Sequence, residues 1–94
     1  DDFTGRPYEG GLNQMGHVVL GAALVAVCGV YVAVALIIAW EAWQLYDMGA
    51  DKLDFNLDLA YWFIGAGTWL FGCALWPLIP VGVFIVEYLR IRYV

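Results

Sequence analysis

The chain has 94 residues, of which 64% are hydrophobic and 14% are charged, and its formal net charge is −5. Soluble domains average about 45–50% apolar and about 25% charged residues, so this composition excludes an ordinary soluble domain. The small number of Lys and Arg residues also excludes a nucleic-acid-binding surface. No charged residue occurs in residues 10–40 or 59–86. We therefore predict an all-α membrane protein.

Chain order predicts five segments. They are an N-terminal tail (1–15), a first transmembrane helix (16–40), an acidic loop with helical ends (41–58), a second transmembrane helix (59–89) and a basic C-terminal end (90–94). A bilayer core of about 30 Å needs about 20 helical residues, and both uncharged runs are long enough. Backbone groups in lipid must pair within their own segment, which favours helices. The predicted fold is a two-span transmembrane helical hairpin.

The second predicted helix contains Pro77 and Pro80. Each proline lacks a backbone N–H and clashes with the carbonyl group four residues earlier. We predict a helix kinked at Pro77/Pro80, with the bend near residues 71–76. In the alternative interpretation the helix ends at Pro77 and residues 81–93 lie along the membrane interface.

Orientation follows from the basic end and the aromatic residues. Basic residues favour the cytoplasmic side, so Arg90 and Arg92 predict cytoplasmic termini and a periplasmic acidic loop in a bacterial inner membrane. Aromatic side chains flank the predicted loop and are typical of an interfacial belt. The alternative for these side chains is contact with a pigment or quinone. They are Trp40, Trp43, Tyr46 and Tyr61.

Small residues recur at helical spacing in both predicted spans, which favours close helix packing in lipid. The first set is Ala22, Ala26, Gly29 and Ala33, and the second is Gly65, Thr68 and Gly72.

Three tryptophans in the second predicted helix are spaced seven apart: Trp62, Trp69 and Trp76. A seven-residue step drifts by only about 20°, so they predict one ridge. The ridge is interpreted as a surface for packing or lipid contact. The alternative is a docking face for another protein or for large flat cofactors.

His17 is the sole histidine and opens the first span. A neutral imidazole can ligate a metal or a chlorophyll magnesium, or hold a quinone, so His17 is the candidate cofactor contact. In a continuous helix Glu41 would lie about 36 Å away, and the two residues would not share a site. The acidic loop does not fit the EF-hand pattern. The sequence thus predicts no metal site, no catalytic residue and no enzyme activity.

One pattern resembles small VanZ-like and phage-encoded membrane proteins. It consists of Asn13-Gln14-x-x-His17, then Glu41 and Asp47, then Asp54 and Asp58, and it covers about residues 13–66. Function in that group is largely undefined, so the resemblance implies membrane location and little else. The chain also has a general likeness to small subunits beside bacterial light-harvesting complexes, although antenna polypeptides have one span with an internal histidine.

The function expected from these features is that of a non-catalytic accessory subunit of a larger membrane complex, photosynthetic or respiratory. Its partners would be integral membrane subunits and lipids. It would have no intrinsic cofactor, although partners could supply bacteriochlorophyll, carotenoid, quinone or lipid contacts. The alternative is an independent holin-like or transporter-like homo-oligomer, which the scarcity of polar residues in the spans disfavours.

Overall fold

Four helices make up the fold in the computed structural model, which describes residues 3–49, 51–72 and 74–93. They are α1 (Pro7–Cys28), α2 (Val30–Asp47), α3 (Lys52–Leu70) and α4 (Leu78–Arg92). Helix α1 packs against each of the other three, and α2 also packs against α3. The all-α prediction is confirmed. The two-span hairpin is not, because each predicted long helix is divided in two.

Gly29 breaks the first predicted helix. Its φ of 85° and ψ of 163° lie in a region that only glycine adopts readily. The Gly29 N–H still donates to the Val25 carbonyl at 3.0 Å, and the Ala33 N–H donates to the Gly29 carbonyl at 3.0 Å. The two helices therefore join at a single residue, and the prediction of a continuous helix over 16–40 is wrong.

The second predicted helix is divided instead of kinked, since the described residues 71–72 and 74–77 between α3 and α4 are not part of either helix. Helix α3 ends at Leu70, and Gly72 follows with a φ of 58°. A left-handed glycine just past a helix terminus is a common helix stop. Pro77 precedes the first residue of α4 and Pro80 lies in its first turn, where a missing N–H costs nothing. The prolines therefore help to start α4.

Most of the predicted acidic loop is helical. Helix α2 continues through Asp47 and α3 begins at Lys52. Asp51 caps α3, since its side chain accepts a hydrogen bond of 2.7 Å from the Asp54 backbone N–H. This bond holds the pKa of the Asp51 carboxyl below its ordinary value.

Two layers of side chains show the relative directions of α1, α2 and α3. One layer contains Val25, Ala33 and Ala66. The other contains His17, Glu41 and Asp58, eight residues away along each helix. Because the residue number falls between these layers in α2 and rises in α1 and α3, α2 runs antiparallel to its two neighbours.

The helices separate charged from apolar residues along the bundle. Ile91 of α4 lies against Gly10 of α1, so the end of α4 meets the start of α1. All the charged side chains among the described residues consequently lie at one end, and the opposite, uncharged end contains Gly29 and the described residues 71–72 and 74–77. The described residues of the acidic loop and both described chain ends therefore share one side of the bundle.

Helices α1 and α3 approach most closely at two glycines. A Cβ atom at Gly65 would overlap the Val18 carbonyl oxygen, and one at Gly21 would overlap the Trp62 carbonyl oxygen. Backbone contact of this kind needs residues without side chains. These glycines hold α1 against α3 beside His17 and Asp58.

Candidate metal centre

Three helices each supply one side chain to a cluster at the charged end of the bundle. His17 comes from α1, Glu41 from α2 and Asp58 from α3. One potential ligand atom from each side chain lies within 4.8 Å of the other two. Glu41 is only 1% exposed, and the side chains of His17 and Asp58 are 12% and 13% exposed. The expected separation of His17 from Glu41 was wrong because Gly29 turns α2 back along α1.

His17 is oriented by its own helix. Its Nδ1 lies 2.7 Å from the Asn13 carbonyl oxygen, one turn earlier. A carbonyl oxygen can only accept, so Nδ1 carries the proton and donates. In the neutral imidazole this leaves the Nε2 lone pair free, and Nε2 faces Glu41 and Asp58. A backbone carbonyl in this role is typical of histidines that ligate metals.

Each carboxylate is also held by a neighbouring donor. The indole N–H of Trp62 donates to Glu41 Oε2 at 3.0 Å, and the Gln14 side-chain amide donates to Asp58 Oδ1 at 2.7 Å. The Trp62 ring also meets the His17 ring edge-on, with centroids 5.0 Å apart. All three candidate ligands therefore have supporting contacts that restrict their orientation.

The His17 imidazole lies too far from either carboxylate for a direct hydrogen bond but close enough to share an ion with them. His17 Nε2 lies 3.7 Å from Glu41 Oε2 and 3.8 Å from Asp58 Oδ2. Both distances exceed the usual range of a hydrogen bond. A tetrahedral metal ion with bonds of about 2.0–2.2 Å holds its ligand atoms about 3.3–3.6 Å apart. Small side-chain adjustments would complete such a site.

Charge balance also favours a cation. Two largely buried carboxylates face one histidine, and His17 is the one basic side chain that lies within 4.0 Å of Glu41 or Asp58 among the described residues. Buried carboxylates need either a proton or a compensating charge, and a bound cation would supply that charge. One imidazole with two carboxylates suits divalent ions such as Zn²⁺, Fe²⁺ or Mn²⁺.

A groove of about 710 Å³ opens beside the cluster. Its polar lining includes Asn13, Gln14, Asp54 and the candidate ligands His17 and Asp58. The Gln14 Oε1 atom is buried and has no hydrogen-bond partner among the described residues. The cluster is thus accessible from one side and is not sealed in the core.

The predicted packing residues lie in several environments. Gly65 is at the close α1–α3 contact, Ala33 is fully buried, and Gly29 forms the break between α1 and α2. The remaining four line a second groove of about 650 Å³, together with Trp69 and Trp76; they are Ala22, Ala26, Thr68 and Gly72. The two small-residue faces come together there but leave a groove between them.

The three tryptophans of the predicted ridge differ in exposure. Trp62 is buried against Glu41, whereas Trp69 and Trp76 are 57% and 60% exposed. Trp40, Trp43 and Tyr46 are exposed, and Tyr61 is half-buried. The ring centroids of Trp40 and Trp43 on α2 are 5.4 Å apart, and the two residues flank Glu41 in the sequence.

No protein-family model matches the chain, and the comparisons with curated proteins and with solved structures give no match either. Most residues of the sequence pattern that runs from Asn13 to Asp58 lie in or beside the cluster. His17, Glu41 and Asp58 form the cluster and Gln14 donates to Asp58. Asp54 lines the groove beside it, and Asp47 is exposed. Function is therefore argued from this site.

Proposed function

We propose that this chain is a small integral membrane protein that binds a divalent transition-metal ion through His17, Glu41 and Asp58. The observation that carries the metal assignment is the convergence of three ligand atoms from three different helices. The Asn13 carbonyl, the Trp62 indole and the Gln14 amide hold these ligands in place.

The distribution of polar and apolar side chains supports a lipid environment. Buried side chains include Glu41 and Glu87, which are 1% and 0% exposed. The surface instead presents large apolar side chains such as Val27, Tyr31 and Phe71, which are 84%, 89% and 87% exposed. An apolar surface around buried polar groups is stable in lipid and is an aggregation hazard in water.

Helix α1 adds a second line of support. By length and composition it is the one helix among the described residues that is long and apolar enough to cross a membrane. Only 28% of its most apolar window is buried within the bundle. The core helix of a soluble protein would be mostly buried, so this exposure favours contact with lipid.

Metal binding is tested on the full chain purified in detergent. After dialysis against a chelator, the protein is incubated with Zn²⁺ or Mn²⁺, and bound metal is measured by elemental mass spectrometry. We expect one ion per chain. His17→Ala, Glu41→Gln and Asp58→Asn should each remove a ligand and weaken binding by more than the roughly 10–100-fold loss typical of supporting residues. Acidification should release the ion because protons compete for the same ligands.

Two further variants separate ligation from general damage. Trp62→Phe removes the indole donor to Glu41 and should weaken binding by about 10–100-fold. Asp47→Asn removes an exposed carboxylate from the same helix as Glu41 and should leave binding unchanged. Equal metal binding by wild type and the His17, Glu41 and Asp58 variants would contradict the proposed site.

A second proposed function is that of a non-catalytic accessory subunit in a larger membrane complex. The groove between Ala22, Ala26 and Trp69 favours this proposal. Its lining is small and apolar, which suits an apolar helix of another membrane subunit. Metal binding and subunit function are compatible, because the two grooves involve different side chains.

Removing Trp69 should release the chain from such a complex. A well-buried aromatic anchor contributes about 2 kcal/mol or more to an interface, so Trp69→Ala should abolish co-migration on native gels in mild detergent. Phe63→Ala removes an exposed aromatic residue outside the groove and is the matched control. If the wild type, Trp69→Ala and Phe63→Ala all migrate as homo-oligomers, the result would support the independent membrane protein instead.

A further inference from the structure

The groove beside the metal ligands contains a hydrogen-bond acceptor that the fold leaves unused. Gln14 lines this groove together with His17 and Asp58. The residue is only 6% exposed, and its Oε1 atom is buried without a hydrogen-bond partner among the described residues. Buried polar atoms in folded proteins are nearly always paired, so this oxygen indicates a donor that comes from outside the chain.

Asp58 fixes the orientation of the Gln14 amide. The Nε2 atom donates to Asp58 Oδ1 at 2.7 Å, and an ionised carboxylate can only accept. The opposite orientation would place two acceptor oxygens together, so Oε1 is the unpaired atom. Gln14 also lies one turn before His17 on the same face of α1. The unpaired oxygen therefore lies beside two of the three candidate metal ligands.

The proposed ion has an open coordination position. His17, Glu41 and Asp58 are the three ligand side chains that the described part of the chain brings together. Zn²⁺ takes four ligands, and in open sites the fourth is a water molecule or an atom of a substrate. The groove of about 710 Å³ gives such a ligand access from one side.

The charge of the complete centre restricts the class of this ligand. The carboxylates of Glu41 and Asp58 balance the two positive charges of the ion, and a histidine that ligates a metal is neutral. The centre then has no net charge with which to attract an anion. A neutral ligand that coordinates through one atom and donates an N–H or O–H group to Gln14 meets both requirements.

We propose that the open coordination position faces the groove and takes a neutral ligand whose N–H or O–H group donates to Gln14 Oε1. Water occupies the position at rest, and small alcohols or azoles replace it. The inference rests on the proposed metal-binding function. It gives Gln14 two roles, since the side chain supports Asp58 through Nε2 and selects the exchangeable ligand through Oε1.

Pyrazole and 1-methylpyrazole are the matched probes. Both are neutral at neutral pH and ligate metals through one nitrogen, but only pyrazole has an N–H group beside that nitrogen. The full chain in detergent is loaded with Co²⁺, and the visible absorption of Co²⁺ is titrated with each compound. We expect pyrazole to bind at least about tenfold more tightly, because 1-methylpyrazole leaves the buried Gln14 acceptor unpaired.

Three variants separate the Gln14 acceptor from general support of the metal. Gln14→Leu removes Oε1 and should reduce the preference for pyrazole to less than about threefold, the remainder being due to the bulk of the methyl group. Trp62→Phe removes the donor to Glu41 and should weaken metal binding but retain the preference. Gln44→Leu makes the same change at the other glutamine of the groove and should also retain it. Each variant is loaded to one Co²⁺ per chain, measured by elemental mass spectrometry, before the titration.

The outcomes are distinguishable. Failure to bind Co²⁺, Zn²⁺ or Mn²⁺ would overturn the metal site and this inference with it. Co²⁺ binding without a spectral change on addition of either azole would overturn the inference alone, because the position would then be closed to the groove. Equal affinity of the wild type for both azoles, or a preference that Gln14→Leu retains, would also overturn it and leave the metal site standing. A preference that Trp62→Phe loses as well would contradict the specific role of Gln14.

Discussion

Gly65→Ala should separate α1 from α3 and disrupt the cluster of His17, Glu41 and Asp58. The new methyl group would overlap the Val18 carbonyl oxygen, and backbone atoms of a packed helix cannot move aside alone. Overpacking typically costs about 1–3 kcal/mol and occasionally more. Because Val18 follows His17 directly, separation of the helices also moves the imidazole away from Asp58. Thermal unfolding in detergent and metal stoichiometry should both show the loss.

Gly67→Ala is the matched control on the same helix. A Cβ atom there meets only the Phe71 ring at 4.0 Å, which is an ordinary contact. Alanine is favoured over glycine inside a helix by about 1 kcal/mol, so this variant should be as stable as the wild type or more stable. Equal stability of the Gly65 and Gly67 variants would contradict the close α1–α3 contact.

Gly29→Ala should destabilise the reversal between α1 and α2. The observed φ and ψ of Gly29 are strained for any residue with a Cβ atom, at a cost of about 1–3 kcal/mol. Alanine is also the best helix former, so the substitution favours a continuous helix in which His17 and Glu41 are about 36 Å apart. Metal binding should weaken as the separated population grows.

Spin labels can measure this change directly. Labels at Leu20 and Leu36, in a background without native cysteines, lie across one groove in the folded bundle. In a continuous helix these positions are about 24 Å apart. Double electron–electron resonance should therefore show a longer distance for Gly29→Ala. Gly82→Ala, with open space around the new methyl group, should leave the distance unchanged. A distance unaltered by Gly29→Ala would show that the reversal does not depend on glycine.

Composition was sufficient to predict an all-helical fold, because long uncharged runs leave helices as the main way to pair the backbone. It was not sufficient to locate the breaks. Gly29 lies among small residues that are spaced as helix-packing residues are. The residue type alone does not show whether a glycine is needed for close packing or for a positive φ. The stop after α3 had a partial signal, since glycine often follows a helix terminus and Gly72 directly follows the C-cap residue Phe71.

The missed break at Gly29 also hid the candidate metal site. Gln14, His17, Glu41 and Asp58 were all noted within one pattern, but helical rise along an unbroken span placed Glu41 far from His17. The break at Gly29 reverses that conclusion, because positions 12 residues on either side of a tight reversal become neighbours. Trp62 was placed on one ridge with Trp69 and Trp76, because spacing along the sequence cannot show that Glu41 of α2 covers Trp62 alone.

The uncharged far end of the bundle has a consequence for biogenesis. Translocation of a charged side chain past the middle of a bilayer is costly, at about 2.5–3.5 kcal/mol for each Asp, Lys or Arg on insertion scales. The leading segments of both helical pairs, around Gly29 and residues 71–77, contain no such side chain. In the proposed membrane setting, the α1–α2 pair and the α3–α4 pair each insert from the side on which the chain is synthesised. Neither pair carries a charged side chain across the bilayer. Because both pairs insert from the same side, a single insertion direction sets the membrane topology of the whole chain.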